Sequence, residues 1–284
     1  MKNYPVKEYK NTITPVNTLF NLRLREIWDY RDLLMLFVYR DFVTFYKQTI
    51  LGPLWFFIQP FLTTIVFTVI FGNIAKIPTD GLPPMVFYLA GVTAWNYFAE
   101  CFRKTSNTFT QNAQLFGKVF FPRVVVPLSI TISNLFTFII QFFLFLMVMG
   151  YFMLTGMHIH PNLYVLLFPL LILMMGFMGL GFGMLVSSMT TKYRDLQYLV
   201  QFGITLLMYA APVIYPVSSI PIKYQWIIMA NPMTSIIETF RYSFLGAGTL
   251  SLNGLLYSAI FTLGILILGV LVFNRTEKNF MDVV

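Results

Sequence analysis

The sequence predicts an all-α integral membrane protein. It has six transmembrane helices, an N-terminal amphipathic interfacial helix, and two short re-entrant-like helices between spans five and six. Three observations predict this. The composition is 57% hydrophobic and 11% charged, with a mean hydropathy of +0.72, whereas a soluble domain carries about 25% charged residues. Six apolar runs approach or exceed the roughly 20 residues that cross a hydrocarbon core of about 30 Å. No period-2 alternation offers a barrel, so helices must satisfy the backbone within the bilayer.

Residues 1–50 read as a cytoplasmic N-terminus ending in the interfacial helix, and residues 51–284 as one membrane domain. Residues 1–26 are polar and lack the central apolar stretch of a cleavable signal. Over 27–49, Trp28, Tyr30, Phe37 and Phe42 alternate with charges. Glu26, Asp29, Asp32, Arg40 and Lys47 share about one third of a helical wheel. Such a helix lies on the inner leaflet and leads into the first span at Gly52-Pro53.

The spans are expected at 54–75, 85–101, 128–154, 163–189, 196–217 and 252–273. The third and fourth reach about 40 Å as helices and must tilt or project; the second is the shortest. The polar loop 103–123 separates spans two and three. A helical turn there, projecting Phe116 and Phe120, suits either a knob for a soluble partner or a membrane-surface loop with aromatic anchors. Between spans five and six, apolar pieces flank Asn231-Pro232, which predicts two short helices meeting at that break and dipping into the outer leaflet.

Positive charge sets the orientation. With the N-terminus inside, sixteen Lys/Arg fall on cytoplasmic pieces, against Lys76, Lys223 and Arg241 outside. Both termini are then cytoplasmic in a multi-pass membrane protein. The net charge of +8 follows from topology and anionic lipids and calls for no nucleic acid.

The chemistry-bearing residues exclude several classes. Cys101 is the single cysteine, so neither an intrachain disulfide nor a cysteine-based zinc site is available. His158 and His160 flank Ile159 beside Pro161, as a solvated loop does more often than a metal pair. Gly176, Gly179, Gly181 and Gly183 have neither the strand nor the acidic residue of a dinucleotide site and suit close helix packing. No P-loop is present. Glu100 and Asp195 sit at span ends, leaving no mid-membrane carboxylate for ion-coupled transport. No nucleophile with a base is visible, so the chain is read as a non-enzyme that binds no cofactor itself. Most of the 31 Phe, 16 Tyr and 4 Trp are ordinary belt and core residues. Trp55, Phe56, Tyr97, Tyr209 and Tyr215 are candidates to line a lumen, where flat rings let a sugar chain slide.

Several separated stretches then acquire meaning together. They are Tyr30-Arg31-Asp32-Leu33-Leu34, Arg40-Asp41 and Tyr46-Lys47-Gln48-Thr49; Lys118-Val119-Phe120-Phe121-Pro122-Arg123; Tyr193-Arg194-Asp195; Ala211-Pro212-Val213-Ile214-Tyr215-Pro216; and Asn231-Pro232-Met233 with Glu238 and Arg241. In this order the chain resembles the permease subunits of ABC-2 type polysaccharide exporters, the O-antigen and teichoic-acid class. The resemblance implies a homodimer enclosing a channel, and two separately encoded ATPase subunits that hold the ATP and magnesium. It implies coupling to the ATPase through the loop around Asn112, Phe116, Lys118, Phe120 and Arg123. It also implies short helices near the channel exit, carrying Trp226, Asn231, Pro232, Glu238 and Arg241. The implied substrate is an undecaprenyl-diphosphate-linked polysaccharide, whose diphosphate Arg31, Arg40 and Lys47 could attract. The alternatives are an ABC-2 exporter of lipids or drugs, a membrane enzyme acting on polyprenyl-linked sugars, and a passive scaffold.

Overall fold

The computed structural model describes residues 24–47, 50–119, 121–193 and 195–280. Residues 1–23, Phe120 and Arg194, all used in the sequence reading, lie outside the described residues. In chain order the α-helices are α1 (Leu24–Asp29), α2 (Arg31–Lys47), α3 (Trp55–Phe67), α4 (Pro84–Thr105), α5 (Thr108–Gln111), α6 (Ala113–Phe116), α7 (Val125–Leu154), α8 (Phe168–Thr190), α9 (Leu196–Tyr209), α10 (Ile222–Met229), α11 (Pro232–Leu245) and α12 (Leu252–Phe280). Among the described residues there is no strand.

Four stretches are long and apolar enough to cross a membrane: Gly52–Ile74, Val125–Leu154, Leu163–Thr190 and Leu252–Glu277. The first joins α3 to a π-helical turn at Thr68–Ile74. The other two expected spans differ for opposite reasons. α4 is the central helix, in contact with α3, α7, α8, α9 and α11, and 16 of its 22 residues are buried. Shielded by protein on most sides, it tolerates Thr93, Asn96 and Glu100 and lacks the hydropathy of a lipid-facing helix. α9 has 14 residues, about 21 Å of rise. The expected helix over 196–217 stops at Tyr209, because Pro212 has no N–H and its ring crowds the carbonyl of Met208.

Close approach organises the middle of the bundle. A Cβ on Gly179 would lie 2.7 Å from the Cβ of Cys101 and 2.8 Å from the Phe98 carbonyl oxygen of α4. One on Gly181 would lie 2.8 Å from the Ile265 carbonyl of α12. Glycines on two faces of α8 thus let two neighbours touch its backbone, the packing that holds helices together where no hydrophobic gradient helps. Beside them, Phe142 of α7 stacks on Phe168 at 4.4 Å and meets Phe244 of α11 edge-on at 5.3 Å.

The segment between α9 and α12 does form two helices around Asn231. Its side chain accepts from the Met233 N–H at 3.0 Å, and Pro232 takes the first helical position. The two helices are unlike. α10 exposes Ile222 and Trp226, at 86% and 69%. α11 buries 12 of its 14 residues and is part of the core.

Candidate functional site

Alternation of the long helices gives the molecule a basic end and an opposite end. The basic end carries α2, α5, α6, the start of α7 and the ends of α4, α8 and α12. α2 docks on α7 through buried Phe37 and Val38, while Met35, Leu36, Tyr39 and Phe42 stay exposed on another face. Its apolar residues therefore split between protein and a free surface, the pattern of a helix at a membrane interface. Arg40 pairs with Asp41 at 2.8 Å and lies over Phe37; Arg31 lies over Trp28, with Asp32 at 4.0 Å. Lys47 is exposed.

The 103–123 loop is held tightly. The Phe109 N–H donates to Ser187 Oγ at 3.2 Å, and Thr190 Oγ1 donates to the Ser106 carbonyl at 3.3 Å, both on the last turns of α8. Gln197 Nε2 of α9 donates to Thr110 Oγ1 at 3.1 Å. Phe109 stacks on Phe273 of α12 at 4.5 Å.

Phe116 corrects an expectation. It does not project: it is 3% exposed, wedged against Phe109 and Phe121 with the Arg123 guanidinium over its ring. The loop had enough apolar neighbours to bury it, and among the described residues Gln111, Gln114, Lys118 and Val119 are exposed, with Asn112 half-buried. Arg123 itself is 8% exposed and donates to the Glu277 carbonyl at 2.8 Å. Burial lowers its pKa, and the Glu277 carboxylate opposes that.

Between α4 and α7, near the basic end, lies a polar seam. Glu100 accepts from Arg103 at 2.6 Å, and Lys104 Nζ donates to Asn134 Oδ1 at 2.8 Å. Asn96, Thr137 and Gln141 line the same small cavity. Asn134, Thr137 and Gln141 recur at helical spacing in the apolar run of α7, a pattern legible in the sequence that the search for carboxylates missed.

The candidate lumen aromatics do not converge. Trp55 and Phe56 start α3 at the basic end, with Trp55 exposed and Phe56 half-buried. Tyr97 is 5% exposed, packs on Phe138 and lines the small polar cavity with Asn96 and Gln141, away from the other four. Tyr209 and Tyr215 do meet, at the opposite end, where the Tyr215 hydroxyl donates to the Tyr209 carbonyl at 3.0 Å. Tyr215, Tyr224, Ile220, Ile227 and Ile228 line an open apolar hollow of about 290 Å³.

At that same opposite end the structure holds a buried ion pair. Arg241, one of the three Lys/Arg on the outer side of the charge count, is 1% exposed and Glu238 is 2% exposed, 3.5 Å apart. Arg241 Nη2 donates to the Val213 carbonyl at 2.6 Å, Nη1 donates to the Pro212 carbonyl, and the guanidinium lies 3.7 Å from the centre of the Phe87 ring. Glu238 Oε2 accepts from the N–H and hydroxyl of Thr249, at 3.0 and 3.2 Å. Their i, i+3 spacing on one helix was the available sequence signal. Among the described residues, no group of three or more His, Cys, Asp or Glu is arranged to hold a metal ion.

Comparison with known proteins adds what geometry does not. The family model described as ABC-2 type transporter matches residues 32–245. The chain is 30% identical over 258 residues to the O-antigen export system permease protein RfbA of Klebsiella pneumoniae, covering 89% of this chain and 95% of that one. It is 30% identical over 224 residues to the protein of the same name in Myxococcus xanthus, covering 78% and 83%. To the polysialic acid transport protein KpsM of Escherichia coli it is 22% identical over 243 residues, covering 84% and 91%.

Proposed function

The chain belongs to the ABC-2 type transporter family, and from that premise we propose that it is the permease of an exporter moving a lipid-linked polysaccharide across the bacterial inner membrane. The observation that carries this reading is the near end-to-end similarity to O-antigen export permeases. The more distant similarity to a polysialic acid transport protein keeps the substrate class at polysaccharide. Its relatives are permease proteins, which makes it a transport subunit rather than an enzyme.

Two copies would enclose the channel, each crossing the membrane six times with both termini cytoplasmic. α4, at 22 residues, is about 33 Å long. α9 would complete its crossing through the non-helical chain at 210–217. The basic end then faces the cytoplasm, in line with the sixteen-to-three distribution of Lys and Arg. Two ATPase subunits would dock there and bind the ATP and magnesium. A push on the loop carrying Asn112 and Lys118 would be felt by α8, α9 and α12, because hydrogen bonds and stacked rings tie that loop to all three. Attraction of the substrate's diphosphate would rest on Lys47 and Arg31 more than on Arg40, which Asp41 neutralises at 2.8 Å.

Deletion of the gene tests the reading. The expected result is loss of surface glycan with lipid-linked glycan retained inside, restored by the intact chain, and co-purification of two copies with two ATPase subunits. Surface glycan unchanged by the deletion would overturn it.

A further inference from the structure

The fifth expected span is interrupted after α9, and the structure shows what compensates. Where a helix breaks at membrane depth, carbonyl oxygens lose their intrahelical partners and must find others within the protein. After Tyr209 the chain turns through Ala210–Pro216, and here the carbonyls of Pro212 and Val213 are met by the two terminal nitrogens of Arg241. The broken piece is therefore fixed by a side chain from another helix, 28 and 29 positions away.

The fit is close on every side. Phe87 lies under the guanidinium and Glu238 beside it, with Glu238 held in turn by Thr249 ahead of α12. A Cβ on Gly91 of α4 would come within 2.5 Å of Arg241 Nη2 and 2.9 Å of the Val213 carbonyl oxygen. Only a residue without a side chain lets the guanidinium reach both carbonyls there. The contrast with α9 is sharp: Ala211 and Val213 are fully buried, whereas Tyr198, Leu199 and Phe202 of α9 are 65–77% exposed. The break also carries Tyr215 and is followed by Ser218, whose hydroxyl donates to Asp80 at 2.6 Å. Two buried polar atoms near this node, Arg241 Nε and Tyr88 Oη, have no hydrogen-bond partner among the described residues.

We propose that Arg241 is a positioning residue, a clamp that holds the break at 210–216 folded against α4 and α11 and whose release opens the end of the molecule that carries Tyr209 and Tyr215. Its role in export rests on the permease reading; the clamp itself does not, and can be tested without transport.

The chain lends itself to that test, because its single cysteine, Cys101, is fully buried. Val213→Cys changes volume little and places a thiol on the clamped segment. In permeabilised membranes, with the clamp intact, a water-soluble maleimide should label it slowly. Two further changes loosen the clamp while keeping the charges. Arg241→Lys replaces the two-pronged donor by a single ammonium, and Gly91→Ala pushes the guanidinium off the carbonyls. Each should raise the labelling rate about tenfold or more, the change in an opening equilibrium expected when one hydrogen bond to a charged group is lost. In cells, both should lower surface glycan with chain levels held.

Equal labelling in all three backgrounds, at equal chain levels, overturns the proposal. So does failure of both loosened variants to accumulate, which would assign Arg241 to folding of the protomer. If labelling rises but deletion of the gene leaves surface glycan untouched, the clamp stands and the permease reading falls.

Discussion

Arg123 joins parts of the chain that are far apart in sequence. It reaches Glu277, 154 positions on, and covers the ring of Phe116 at 5.4 Å. A charge buried to this degree is stable only with its partners in place, and each hydrogen bond to it contributes about 1.5–3 kcal/mol. Arg123→Ala should therefore detach the loop at 112–123 from the end of α12. The expected outcome is surface glycan reduced about tenfold or more, with ATPase activity of the purified complex retained. Parallel loss of ATPase assembly would instead place Arg123 in the docking surface itself. The same residue marks what one sequence leaves hidden. Arg123 and Phe116 stood out as a basic and an aromatic residue in a loop between spans, but their burial depends on the return of α12, a contact no local pattern carries. Arg241 was hidden in the same way, since the carbonyls it meets become available only when α9 stops.

At the scale of elements, α8 lies against α4 with Gly179 on Cys101 and against α12 with Gly181 on Ile265. A larger side chain on that face has no room, and overpacking costs about 1–3 kcal/mol where backbone must shift. Gly179→Leu should lower the thermal unfolding midpoint of the detergent-purified chain and its yield. Gly150→Ala on α7, where an added Cβ meets nothing within 4 Å, should leave the midpoint unchanged or raise it slightly, since alanine favours the helix. If both variants behave alike, close packing at α8 is not what holds the bundle. These glycines were readable because spacing alone marks a helix face. The long apolar helices α7, α8 and α12 were readable for the same reason: lipid demands apolar side chains and length. α4 was harder to bound, since a helix wrapped by its neighbours answers to them and not to lipid. The end of α9 was written in the sequence as Pro212 and was overridden by the apolar run around it.

For the molecule as a whole, α9 poses the open question. It leaves most of its length uncovered, and its exposed residues include Gln201 and Thr205, in mid-helix among Leu199, Phe202 and Leu206. An amide facing hydrocarbon without a partner costs several kcal/mol, so that stripe must meet water or protein. A channel enclosed by two copies provides both, with the apolar residues against the partner and the amide on the water side. The chain tests this directly, because its single cysteine, Cys101, is buried. Gln201→Cys in native membranes should react with a water-soluble maleimide, while the parent chain stays unlabelled. Labelling should fall when the channel is occupied by stalled polysaccharide, produced by blocking ATP hydrolysis during synthesis. A cysteine at Ile267 of α12, which is 53% exposed on a helix that spans the bilayer, faces lipid in this arrangement and should stay unreactive. Equal silence at both positions would mean that α9 faces lipid, and the channel would then have to be built from other helices.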